Sequence, residues 1–214
     1  MDEKKALDVC ACDHTITVTG AGSIDATPDR GIAILGVETI SPSITEAQQE
    51  NASSITSIIT SLTNMDIPPN QIGTAVYQIE EEYKYEDNNK IFLGYKVTHL
   101  LKVIIDDVAL TGIVVDSAVE AGATTISSIT FDVRHKEPYY MKAQKIALKQ
   151  ATLKARNISD ALGLSMPKTP HRIIESGVPS TIQPRNVAYA SATPIQPGQI
   201  TITAAITLIY LLAT

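Results

Sequence analysis

Apolar residues in this chain switch repeatedly between a period of two and a period of about 3.6, and that alternation constrains the fold more than any motif does. In "HTITVTGAGSIDATPDRGIAILGVETI", Ile16 and Val18 alternate with threonines, and Ile32, Ile34 and Val37 mark a second, more buried run. Two strands about a turn follow, with Pro28 at the junction. "SITEAQQENASSITSIITSLTNM" opens with a capping-box pair, Ser43 and Glu46, and sets Ile44, Ala47, Ile55, Ile58, Ile59 and Leu62 at helical spacing. Pro68 and Pro69 end that helix. "TAVYQIEEEYKYEDNNKIFLGYKVTHLLKVII" reads as a long hairpin turning at the polar "EDNNK", with Tyr77, Tyr83, Tyr85 and Tyr95 suited to a pleated surface.

Asp106 or Asp107 caps a second helix containing Leu110, Ile113, Val114 and Val119, which stops at Gly122 before the strand "TISSITFDVRH". Pro138 starts a third helix whose inner stripe is Tyr140, Ala143, Ala147, Ala151, Ile158 and Leu162, up to Gly163. "HRIIES" is a short strand, residues 177–198 form a proline- and glycine-containing loop, and a last strand closes the chain. The order strand-strand-helix-strand-strand-helix-strand-helix-strand-strand predicts an α+β fold of largely antiparallel sheets with three helices packed on one face. Sections 30–80 and 94–134 share the plan strand, capped helix, strand, without a residue-level repeat. Residues 1–14 read as a flexible leader and 15–214 as a single domain that two lobes could share.

The closing stretch "QITITAAITLIYLLAT" carries no charge, which raises the question of a membrane anchor. As a helix it would span about 22 Å, short of the ~30 Å hydrocarbon core. Thr201, Thr203 and Thr207 instead alternate with Ile200, Ile202, Ile206 and Leu208, the period of a strand with one buried face. Continuous apolar residues from 208 to 213 then predict burial on both faces, in the chain's own core or against a neighbouring subunit. Leu211 and Leu212 are therefore oligomer-interface candidates, and no integral membrane segment is expected.

Chemistry-bearing motifs are few. "TGAGSID" reads as a turn: the third glycine position of a dinucleotide loop is Asp25, and Pro28 and Asp29 stand where a helix should open. No Walker A loop, H-E-x-x-H or G-x-S-x-G is present, and the histidines at 14, 99, 135 and 171 lack metal-site spacing. Cys10 and Cys12 either bind a soft metal or belong to an oxidisable, unstructured leader. No catalytic group, cofactor or metal site is assigned.

Charge is the polar feature with contrast. Residues 131–156 hold seven bases and two acids, a net +5 against −11 for the remainder. The third helix thus has a basic face including Lys142, Lys145 and Lys149. That face is either solvated or matched to the acidic hairpin stretch Glu80, Glu81, Glu82, Glu86 and Asp87 in the same chain or a neighbouring subunit. Nucleic acid is not an expected partner, because the chain is acidic overall, with 23 acids against 17 bases.

Four stretches, in order, resemble the SIMPL-domain family: "ITVTGAGSIDATPDRGIAILGVET", "GYKVTHLLKVIIDD", "AGATTISSITF" and "TPIQPGQITITAAITLIY". Together they cover about 16–210. The resemblance implies an exported cell-envelope protein, periplasmic or surface associated, linked to stress resistance or antigenicity, with self-assembly into ring- or channel-like oligomers in some members. It implies no catalytic residues. "MDEKKALDVCACDH" departs from the family pattern, having no apolar run long enough for a signal peptide and no small residue directly before Cys10 for lipidation. Two locations follow: the envelope or the exterior if a leader was removed, the cytoplasm otherwise. Two function classes also follow. One is a non-enzymatic protein that self-assembles as a homo-oligomer. The other is a small-ligand binder or enzyme whose site gathers His99, His135 and Tyr95.

Overall fold

A computed structural model describes residues 15–86, 89–182 and 197–212. The elements are β1 (Thr15–Ala26), β2 (Arg30–Ser41), α1 (Ile44–Asn64), β3 (Ile72–Glu86), β4 (Asn89–Ile105), α2 (Thr111–Glu120), β5 (Thr125–Asp132), α3 (Glu137–Ala161), β6 (Arg172–Ile182) and β7 (Ile200–Leu211). The order is the one the alternating periods predict, and the class is α+β. Two sheets form, ordered β3-β4-β2-β5 and β1-β7-β6. They belong to two compact units, the first sheet with α1 and α2, the second with α3. Within each unit the helices pack on that unit's sheet, α1 and α2 on the first and α3 on the second.

In the four-stranded unit, β2 pairs antiparallel with both β4 and β5, and β4 with β3. β2 and β3 are consequently parallel with β4 between them, and β4 and β5 parallel with β2 between them. The two sections that share the strand-helix-strand plan are two interlocked split βαβ units. Ala33, Leu35 and Val37 of β2 and Leu101, Val103 and Ile105 of β4 meet Ile55, Ile58 and Leu62 of α1 and Val114, Val115 and Ala118 of α2 in one core.

That unit buries four polar residues, Thr39, Ser41, Asn51 and Thr111. Asn51 of α1 is 1% exposed, and its Nδ2 donates to the carbonyls of Val37 (3.2 Å) and Val97 (3.1 Å), tying the helix to both central strands. Thr39 Oγ1 donates to Ala47 O beside it at 2.9 Å. Turning the amide over would aim its oxygen at two carbonyls, so the surroundings fix its orientation.

The α1 cap differs from the expected capping box. Ser43 is the N-cap residue but makes no side-chain cap bond; Ser41 Oγ instead donates to Glu46 Oε2 at 3.0 Å and accepts from Ser43 N at 3.3 Å. The serine at the end of β2 has displaced the one at the helix start. Asp107 does cap as expected, its Oδ1 accepting from Ala109 N in a short 3-10 turn ahead of α2.

In the three-stranded unit, "TGAGSID" is not a turn but the middle of β1. Its glycines exist for α3. A Cβ on Gly20 would strike Ala147 O, and one on Gly22 would strike Ala143 O. Ala143, Ala147, Ala151 and Ala155 are fully buried, so the two glycines face a row of methyls and the two backbones approach closely. Gln150 and Lys154 of α3 then reach the edge of β1, accepting from Ala21 N (2.7 Å) and donating to Thr19 O (2.8 Å). The buried stripe continues through Ala155 and Ser159, while Ile158 and Leu162 stay exposed, lining an open cleft where the helix ends.

β6 is longer than the strand predicted at "HRIIES". It runs into the expected loop through Ile182, with a register irregularity between Ser176 and Ser180, and Pro179 is tolerated because β6 is an edge strand. Residues 1–14, with Cys10, Cys12 and the leader expectation, lie outside the described residues, as does 183–196 of the predicted loop.

Two stability outcomes follow. Gly20→Ala or Gly22→Ala lowers unfolding stability in urea by about 1–3 kcal/mol, since helix and strand must separate to admit the methyl. Asn51→Ala costs about 1–3 kcal/mol through the lost backbone bonds, and Asn51→Asp costs more at neutral pH, where a carboxylate faces two carbonyls.

Candidate functional site

The hairpin extends beyond the sheet that carries it. β2 pairs with β4 only as far as Ser41 opposite Tyr95, whereas β3 and β4 continue to Glu86 opposite Asn89. The chain leaves the sheet at Gly94, whose φ of +144° and contact with Ser41 O exclude a side chain. Beyond it stands a two-stranded arm of about 20 Å. Its rings form a ladder: Tyr83 and Phe92 at 5.5 Å between centroids, Phe92 and Tyr95 at 5.3 Å, and Lys90 Nζ 3.6 Å from the centre of Tyr83. The remaining apolar groups face outward, Tyr85 at 73% exposure and Ile91 and Leu93 at just over 40%.

The predicted acidic residues are on this hairpin and are already engaged there. Lys96 lies between Glu80 (3.8 Å) and Glu82 (3.4 Å), Tyr83 OH donates to Glu81 at 2.6 Å, and Lys84 pairs with Glu86 at 3.0 Å. That bond to Glu81 holds the Tyr83 phenol above its ordinary range. Asp87 lies outside the described residues. Lys142, Lys145 and Lys149 are all exposed on α3. At the chain's end Leu212 is half-buried against the core of its own unit, while Leu211 is 37% exposed.

The three residues suggested as a scattered site each have surroundings of their own. Tyr95 meets Phe92 edge-on at the root of the arm. His99, half-buried on β4, has its Nε2 3.1 Å from Thr74 Oγ1 and its ring edge-on to Tyr77 at 5.1 Å. His135 is exposed and belongs to the other unit. Two adjoining open clefts at the C-terminal end of α3 are lined by other residues. One, of roughly 350 Å³, includes Thr152, Arg156, Ser165 and Lys168; the other, of roughly 380 Å³, includes Ile16, Ile158, Leu162 and Leu212; Leu164 lines both. Among the described residues no three His, Cys, Asp or Glu side chains are grouped to hold a metal, and no helix is long and apolar enough to cross a membrane.

Residues 16–210 match the family model SIMPL, a protein of unknown function (DUF541). The chain belongs to the SIMPL family. SIMPL relatives include the uncharacterized protein YggE of Escherichia coli K12, 24% identical over 147 residues, which are 69% of this chain and 59% of the relative. YggE of Edwardsiella ictaluri is 24% identical over 163 residues, 76% of this chain and 68% of that protein. The 26 kDa periplasmic immunogenic protein of Brucella melitensis is 26% identical over 156 residues, 71% of this chain and 62% of that protein. The chain thus spans about six-tenths of the length of the first of these relatives.

Missing from the sequence reading were Asn51, hidden in a serine-rich helix, and the helix contact of Gly20 and Gly22, whose signal was the Ala143-Ala147-Ala151 spacing. His99 gives a titration test, because burial pushes its pKa below the ordinary 6.5. The folded state favours the neutral ring, so its contribution to stability is complete above the ordinary pKa and declines as pH falls below it towards the folded value. An NMR titration of the His99 ring should show a midpoint below 6.5, and His99→Gln should flatten that part of the stability profile.

Proposed function

We propose that this chain is a non-catalytic, envelope-associated protein that works as a homo-oligomer, with the β3–β4 arm as its principal contact. The arm carries this reading: its outward apolar groups, Tyr85, Ile91 and Leu93, lie where β2 no longer covers the hairpin. Apolar groups clustered on a projecting ribbon mark interaction surfaces. β3 is also an open sheet edge along its length, so backbone pairing with another copy is available to it. Leu211, exposed at the end of β7, is a secondary candidate. The periplasmic name of the Brucella relative supports the envelope assignment. A stress or antigenic role rests on the family resemblance.

The alternative, a small-ligand binder, is favoured by the two clefts beside α3, whose volumes fall at the lower end of the ~300–1,000 Å³ range of ligand pockets. Neither is lined by His99, His135 or Tyr95. Size-exclusion chromatography with light scattering separates the readings. Assembly requires a mass that is a multiple of the 23.0 kDa chain. Tyr85→Ser with Leu93→Ser should reduce that mass, with unchanged circular dichroism. A strict monomer at high concentration would sink the proposal.

A further inference from the structure

The outer face of α3 is built differently from the arm and calls for a different occupant. Between Glu137 and Asp160 the helix has no acid and five bases: Lys142, Lys145, Lys149, Lys154 and Arg156. Lys154 is committed to Thr19 O. At about 100° per residue, the other four fall within one stripe of roughly 60°, well away from the buried alanines. None of the four is in an ion pair among the described residues. Exposed Met141 and Leu148 flank the stripe on one side and exposed Ile146 and Leu153 on the other. At its C-terminal end the stripe enters the cleft shared by Arg156 and Lys168.

We infer that this face docks on an anionic lipid bilayer surface. Charge complementarity selects the occupant. The acids on the hairpin that could have matched these lysines in a second copy are held by Lys96, Lys84 and Tyr83 of their own hairpin. Cations alternating with apolar side chains along a surface helix suit a layer of phosphates over acyl chains: the lysines meet headgroups while Leu148 and Leu153 enter the interface. α3 lies on the surface and does not span it, since its opposite face is bound to β1. The inference is independent of the arm as an oligomer contact.

Vesicle co-sedimentation tests it, with the full chain and vesicles of phosphatidylcholine alone or mixed equally with phosphatidylglycerol. Binding is expected only to the mixed vesicles, and to weaken as salt is raised. Replacing Lys142, Lys145 and Lys149 together by Gln should reduce it by about 100-fold, at roughly fivefold per cation. Leu148→Ser with Leu153→Ser should weaken it at every salt concentration, and the monomerising arm variant should retain it in part. Absence of binding to the mixed vesicles, equal binding to both kinds, or binding unchanged in the triple variant overturns the inference. If the triple variant loses its oligomeric mass while keeping vesicle binding, the face belongs to a second copy and the inference likewise fails.

Discussion

The three-stranded unit depends on one close approach, the backbone of α3 against Gly20 and Gly22 of β1. Its core cluster is small: Ile16, Val18, Ile206, Leu208, Tyr210 and the alanines of the helix. With so few large side chains, the unit gains its cohesion from proximity, and dispersion falls steeply with each added fraction of an ångström. The same approach puts Gln150 and Lys154 within reach of the β1 edge, so groups that would otherwise invite another strand are satisfied by the helix. Gly20 and Gly22 are therefore packing residues.

That explains where the sequence was readable and where it was not. Element order came through because each element has a long, regular period, and β7 was legible because threonine and isoleucine alternate without interruption. "TGAGSID" was misread because glycine in a strand and glycine in a turn are identical letters; the deciding partner lies more than 120 residues away. The α3 stripe drifted at its end for the opposite reason. Large apolar Ile158 and Leu162 outweighed Ala155 and Ser159 in hydrophobicity, while geometry gave the buried positions to the small residues.

The candidate surfaces were partly legible. The acidic hairpin and basic helix were visible as charge, but which charges pair is set by cross-strand register, and the ladder places Lys96 opposite Glu80. Charge also conceals burial: Asn51 stands among polar neighbours in the sequence yet is the best-buried polar group of α1. The scattered histidines looked equivalent in sequence; among the described ones, the ring of His99 meets Thr74 and Tyr77.

The four-stranded unit is an insertion between β1 and α3 of the other unit, and this orders events on the ribosome. β2 to β5 emerge as one uninterrupted stretch, complete in itself, while β1 has already emerged and has no partner. β1 must wait for α3 and then for β7, its neighbour in the sheet, which follows every other described strand in the chain. Such non-local closure is slow and leaves an unpaired strand exposed meanwhile. For a chain of this topology, the interval between the emergence of β1 and that of β7 is the time during which it is most open to misassembly or to capture by a chaperone.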